Sequence, residues 1–399
     1  MSSNVAYQRY TEAVLTRRIS DAHDQKGFGR CGLIVLVTAA LCVGMASGAA
    51  MRHLVQPPPE VLQTNASAVV VRTVVLTFFG PEYHPWQAAA LAAGDDAVML
   101  DGPTEEKLLF FRRSGALVVC TGMGPRVSSA AVTAIGYDGR FDVRRALWLV
   151  AGVAGADPLM TSVGSAVWAD HIVDMAVSYY VDRREQGFDP SWATGWIPLT
   201  CAAPFCRGGG SPGEAKEGEV AVSLSKPLVD WAVGLTANIT LPDSDPLRDM
   251  RAPFGEAGFT SAATPPQMLR GDTLSGATVW VGYKASEWAR QWVPYWTQGR
   301  GRFVTTAMED SGVASALRLL ERSERANTSR LLSLRAVANY CTQPPGVSIA
   351  SFLEGVAPAD TGGEGDDTIW NPGYDPVTLI AADHAFLIAS AVANAESPA

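Results

Sequence analysis

Ala146-Leu147-Trp148-Leu149-Val150-Ala151-Gly152-Val153-Ala154-Gly155-Ala156-Asp157-Pro158 is the stretch that decides the fold class. Ala146 to Ala151 is apolar without a polar alternation, which predicts a strand buried on both faces and closed by Gly152. Small residues then run on to Ala156, where larger side chains would block a flat ligand. Upstream, Val69 to Phe79 reads as a strand ending in Gly80-Pro81, and Ala116 to Thr121 as another. Gly122, Gly124 and Pro125 follow the latter, and a helical stretch starts from Ser128. Downstream, Gly164 to Val173, Thr278 to Val281, Arg302 to Thr305 and Leu331 to Leu334 read as strands, with a helix over Gly312 to Leu320. Strands of this kind alternating with helices predict an α/β fold with a largely parallel or mixed sheet covered on both faces. Ligands in such sheets lie beyond the carboxyl ends of the strands, so the residues after each strand are the informative ones.

The middle region, Gly187 to Gly276, is rich in Gly, Pro and Trp and lacks periodicity, and reads as long insertions. Gly362 to Asp367 reads as an acidic loop, and Ala381 to Ala393 as a terminal helix. With 399 residues, 47% of them hydrophobic, the chain can bury a large core. Its net charge of -9 and the lack of a Lys/Arg cluster speak against a nucleic-acid partner.

Cys31 to Ala50 carries no charge and is just long enough to cross a bilayer. Arg9, Arg17, Arg18, Lys26 and Arg30 precede it, whereas only Arg52 follows closely. That asymmetry predicts residues 1–30 as a cytosolic tail, 31–51 as an uncleaved anchor, 52–68 as a linker and 69–399 as one extracellular or lumenal domain. A cleaved signal peptide is the rival reading, since Ser47, Gly48, Ala49 and Ala50 suit a protease. No other segment is expected to span. Asn65, Asn238 and Asn327 head Asn-x-Ser/Thr triplets, glycosylation acceptors if the chain enters a secretory pathway. Cys201 and Cys206 flank a short loop and suit a disulfide in an oxidising compartment, with two free thiols as the alternative. His84, His171 and His384 show no metal-ligand spacing, so no metal is expected.

Four strand ends carry the candidate chemistry. Thr77 to Glu82 places a carboxylate after a buried strand. Thr121 to Ser129 combines glycines with a helix start, which suits an anion at Gly122, Gly124, Arg126 and Ser128. Gly152 to Pro158 is the third, and Thr305 to Asp310, with Leu334 to Asn339 behind it, is the fourth. Together with Gln343-Pro344-Pro345-Gly346, Gly271 to Gly276 and the Trp288, Trp292 and Trp296 series, these segments resemble the purine nucleoside permease family. The soluble part of that family looks like a nucleoside phosphorylase or nucleosidase. The resemblance covers roughly residues 70 to 350 and implies a three-layer α/β/α domain.

The resemblance also implies roles. Glu309 matches the carboxylate that grips the ribose hydroxyls, and Met308 the apolar floor beneath the sugar. Asn339 matches the residue that addresses N7 of the purine; as an amide it can hydrogen-bond there but cannot transfer a proton. Glu82 matches the carboxylate that orients attacking water, and Ala154 and Gly155 border the base. Tyr179, Tyr180 or a Trp is expected as an aromatic lid, unless those residues are core, and His84 lies near Glu82 in sequence. No cofactor is expected beyond inorganic phosphate as a co-substrate. Phosphorolysis, hydrolysis and nucleoside binding for a separate transporter all stay open at this point, and self-association follows only from fold analogy.

Overall fold

The computed structural model describes residues 68–185, 187–199, 201–206, 220–350, 352 and 375–398. The expected tail, anchor, linker up to residue 67, Asn65 and the Gly362–Asp367 loop lie outside these residues.

The chain opens with β1 (Val69–Val70) and β2 (Thr73–Thr77), followed by helix α1 (Gly80–Ala93). Then come β3 (Ala97–Leu100), β4 (Leu108–Phe111), β5 (Ala116–Cys120) and α2 (Pro125–Tyr137). Next are β6 (Phe141–Asp142), the long β7 (Leu147–Ala156), β8 (Ala166–Trp168), β9 (His171–Asp174), β10 (Ser178–Tyr180) and β11 (Trp196–Pro198). The middle region, read as long insertions without periodicity, carries regular elements. It holds β12 (Ala221–Ser223), α3 (Lys226–Thr236), α4 (Asp245–Glu256), β13 (Met268–Arg270) and β14 (Asp272–Ser275). The chain closes with α5 (Tyr283–Trp296), β15 (Phe303–Ala307), α6 (Asp310–Arg322), β16 (Leu331–Tyr340) and α7 (Pro376–Ala393).

The main sheet runs β12-β9-β14-β15-β7-β2-β5-β4-β3, with β16, β8 and β13 attached beside β7. It is mixed rather than largely parallel, because β15 meets β7 antiparallel and β3, β4 and β5 form antiparallel pairs. The β2-to-β5 crossover and the β5-to-β7 crossover run in opposite directions along the sheet. Right-handed crossovers then send α1 and α2 to opposite faces, which gives three layers. Trp86 of α1 packs against Phe386 of α7, with ring centroids 4.9 Å apart. On the other layer α2 and α6 approach so closely that a Cβ on Gly312 would stand 2.2 Å from the Pro125 carbonyl oxygen. Val75, Val118 and Leu149 are fully buried between these layers, as expected of strands covered on both faces.

Several expected boundaries shift for physical reasons. The single strand over Val69–Phe79 is two, because β1 pairs with β6 outside the main sheet while β2 enters between β5 and β7. Gly164–Val173 breaks into β8 and β9, which pair with different partners. Thr278–Val281 forms no strand; β14 lies just before it, and Trp280 packs on Phe303 instead. The terminal helix starts at Pro376, where the Asp375 side chain accepts from Val377 and Thr378 N–H, both at 3.0 Å. By length and apolarity α7 could cross a membrane, which corrects the expectation that no other segment could. Just over half of it is buried in the fold, which fits a core helix.

Candidate functional site

The length of β7 creates the site. One edge pairs with β16 from Trp148 to Ala156. On the other edge, β2 covers Leu147 to Val150 and β15 comes from the opposite direction to cover Gly155 and Ala156. Among the described residues, Ala151 to Ala154 therefore have no strand partner on that edge. Buried backbone groups need partners, and side chains supply them at Val153. Its N–H donates to Glu82 Oε1 at 2.6 Å, and its carbonyl accepts from Arg335 Nη1 at 3.0 Å. Gly152 is required beneath them, since a Cβ there would stand 2.6 Å from Glu82 Oε1 and 2.7 Å from Arg335 Nη1.

Glu82 is held in the first turn of α1, and it is not a surface carboxylate: only 3% of it is exposed. Its second oxygen accepts from Phe78 N–H at 2.7 Å. Burial pushes its pKa up to about 8, helped by Glu309 and opposed by Arg335 and the two backbone donors.

Glu309 comes from the end of β15, in the turn into α6. One of its oxygens accepts from Gly124 N–H at 2.9 Å and the other from Arg335 Nη2 at 2.9 Å. Burial raises its pKa too, against the Arg335 charge. Gly122 and Gly124, with φ of +90° and +91°, turn the chain after β5 so that this amide points inward. Ser128 hydroxyl reaches the Glu309 carbonyl at 3.4 Å. The glycine loop expected to meet an external anion thus hydrogen-bonds a carboxylate of the protein itself. Arg126 is exposed on α2 and takes no part in this cluster.

Arg335 is the centre, and the sequence reading gave it no role. It is fully buried on β16 and bonds Asp310 through Nε and Nη2, at 3.1 and 2.6 Å. Asp310 in turn accepts from Ser333 hydroxyl at 2.6 Å. Burial lowers the guanidinium pKa, but Asp310, Glu309 and Glu82 outweigh it and raise it overall. The available signal was a lone Arg in an otherwise apolar run, Leu334-Arg335-Ala336-Val337-Ala338. A charge there must be paired.

Asn339 and Gly155 form an adjoining group. A register shift in β16 after Val337 sets Asn339 opposite Gly155. A Cβ on Gly155 would stand 3.3 Å from both Asn339 Nδ2 and Thr306 Cγ2. Asn339 Nδ2 itself donates to the Tyr340 carbonyl at 3.2 Å. Ala154 is buried and Met308 half-buried between the two groups in sequence. The segment after Asn339 is clamped by α5: Gly282 N–H donates to the Cys341 carbonyl at 2.9 Å, and Tyr283 hydroxyl to that of Gln343 at 3.0 Å. Trp288, Trp292 and Trp296 are core, whereas Tyr179 and Tyr180 are exposed on β10. His84 is on the exposed side of α1. Cys201 and Cys206 are joined as a disulfide, and Phe205 between them packs on Trp292 and Tyr295 of α5. Asn238 and Asn327 are both exposed.

Residues 70–382 match the family model described as purine nucleoside permease (NUP). A purine nucleoside permease of Candida albicans is 21% identical over 286 residues, which cover 71% of this chain and 68% of that one. A probable purine nucleoside permease of Schizosaccharomyces pombe is 24% identical over 226 residues, 55% of this chain and 63% of the relative. Among solved structures, a 5'-methylthioadenosine/S-adenosylhomocysteine nucleosidase from Colwellia psychrerythraea with adenine has a TM-score of 0.48. It shares 13% identity and covers 82% of this chain and 97% of its own. The enzyme of the same name from Neisseria meningitidis scores 0.46, also at 13% identity, over 82% and 99% of the two chains. The family match runs from the strand before Glu82 through Asn339 and into α7, and on that span the chain belongs to the purine nucleoside permease family.

Proposed function

We propose that this chain binds a purine nucleoside over Gly152–Gly155 and hydrolyses its N-glycosidic bond outside the cytosol. The observation that carries the reading is the buried Glu82–Arg335–Glu309 cluster, assembled above a glycine where β2 and β15 face each other. In this reading Glu309 and Met308 hold the ribose, Ala154 and Gly155 border the base, and Asn339 hydrogen-bonds N7. The oxygen of water bonds to C1′, and the bond from C1′ to the base breaks with its electron pair going to the base. Glu82 takes the water proton, and the departing base takes one from solvent. A carboxyl with its pKa near 8 suits that task near neutral pH.

Phosphate is the less favoured attacking group here because the site resists its charge. Gly124 N–H is already given to Glu309, and Arg335 is enclosed by three carboxylates. A phosphate dianion would meet net negative charge, whereas water meets none of that repulsion. The Cys201–Cys206 disulfide and the apolar run Cys31–Ala50 support a membrane-linked, oxidising location.

The test is release of free base from inosine or guanosine, with and without phosphate. Free ribose in both conditions is the expected product; ribose 1-phosphate would select phosphorolysis, and no turnover would end the enzymatic reading. A second reading, nucleoside binding for uptake, gains support from Asn339, whose amide transfers no proton, and from the two backbone donors already on Glu82. It predicts saturable inosine binding without chemistry, and uptake that fails when the chain is deleted.

A further inference from the structure

The guanidinium of Arg335 has five N–H donors, and their distribution is uneven. Nη1 gives one to the Val153 carbonyl. Nη2 gives one to Glu309 and one to Asp310, and Nε gives its only one to Asp310. What remains is a single N–H on Nη1, the atom crowded with Glu82 Oε1 against Gly152. Asp310 therefore consumes two donors, more than any other group in the cluster.

Asp310 is the first residue of α6, where an acid commonly serves the helix amides. It does not serve them here. Its Oδ1 accepts from Ser333 hydroxyl and its Oδ2 from Arg335, and it is fully buried. Its charge also decides the sign of the cluster. Glu309 and Asp310 both contact the one guanidinium, so Asp310 makes the count two carboxylates to one cation.

We infer that Asp310, braced by Ser333, is a positioning residue that closes this site to phosphate, by occupying Arg335 and by its own charge, and so leaves water as the attacking group. The inference rests on the hydrolysis reading for its consequence, but not for its physical content, since phosphate binding can be measured without turnover. With Asp310 neutral, the Nε and Nη2 donors loosen and the excess charge disappears. Phosphate can then attack C1′, the bond to the base breaks with its pair leaving on the base, and ribose 1-phosphate forms.

The experiment compares the full chain with Asp310→Asn, which keeps the side-chain volume and removes the charge. Inorganic phosphate is titrated by phosphorus NMR, and the sugar product from inosine is identified with and without phosphate. Asp310→Asn should bind phosphate about tenfold more tightly or better and should turn part of the product from ribose into ribose 1-phosphate. An unaltered phosphate affinity in a folded Asp310→Asn protein overturns the inference, and so does a lower thermal midpoint with no gain in phosphate binding, because that is all a purely structural acid would show. Should Asp310→Asn fail to fold, Ser333→Ala removes only the 2.6 Å brace. It should shift phosphate affinity the same way by less, and no shift there overturns the inference equally. If the natural chain releases no base at all, the hydrolysis reading fails on its own, while the phosphate titration still decides what Asp310 does.

Discussion

Glu82 and Glu309 are the same residue type at equivalent places, each just after a strand and at the start of a helix, and both are almost wholly buried. Their partners differ. Glu309 touches a guanidinium and one backbone amide, whereas Glu82 is held by two backbone amides and feels Arg335 only through space. Burial raises the pKa of both; at Glu309 a guanidinium in contact works against that rise, whereas at Glu82 the groups in contact are backbone amides and Arg335 opposes it from a distance. A single arginine thus gives the two glutamates different surroundings, which matches the proposed division between a side chain that grips and one that exchanges a proton.

The harshest way to break that division is Arg335→Met. It strips the countercharge from Glu309 and Asp310 while Glu82 keeps both of its amides. Leaving buried carboxylates unpaired should cost about 3–5 kcal/mol, measured by denaturant unfolding at neutral pH. The deficit should shrink in acid, as the orphaned carboxyls take up protons. A loss below about 1 kcal/mol would mean that solvent reaches the cluster and that the guanidinium contact does not set the two glutamates apart.

Gly152→Ala and Gly124→Ala strike the two carboxylates separately. At Gly152 the new methyl would collide with Glu82 Oε1 and Arg335 Nη1, two side-chain ends held by their own bonds to Val153, for about 1–3 kcal/mol of overpacking. At Gly124 there is open space, but φ is +91°, so the cost is backbone strain of about 1 kcal/mol. The first should impair base release far more than inosine binding, because it displaces the proposed proton acceptor. The second, which shifts the amide that holds Glu309, should chiefly weaken binding. Equal effects on both measurements from both variants would erase the distinction.

The parts of this arrangement legible in the sequence are those that local chemistry determines. Ala146–Ala151 and Ala116–Thr121 are apolar runs that read as buried strands, and Gly122 and Gly124 do turn the chain after β5; Gly152, expected to close its strand, instead lies inside β7, which runs on through Gly155 to Ala156. What failed depends on pairing. Asp272–Ser275 is polar at all positions but Leu274 and looks nothing like a central strand, yet all of it is buried between β9 and β15. The apolar Thr278–Val281 beside it drew the assignment instead. The opposed approach of β2 and β15 along β7 leaves no local trace, although it opens the gap that Glu82 and Arg335 fill. Arg335 was visible as a charge in an apolar strand, but its partners Asp310, Glu309 and Val153 lie 25, 26 and 182 residues away in the chain.

Glu82→Gln is the mildest and most discriminating probe of the two glutamates. Both Glu82 oxygens accept backbone N–H groups, and an amide can offer only one oxygen, so about 1 kcal/mol should be lost in acid. The sign then turns on linkage. The folded chain holds the Glu82 proton up to about 8, whereas the ordinary carboxyl releases it near 4.5. The natural protein therefore has the full benefit of the neutral carboxyl below 4.5 and loses it as pH rises towards 8. Glutamine does not titrate. The stability gap between variant and natural chain should narrow steadily across that window and vanish or reverse at its alkaline end. Base release by the natural chain should climb with pH towards about 8 as the carboxylate forms, while the variant stays slow and flat. Stability curves that run parallel from acid to alkali would place the movable proton somewhere other than Glu82.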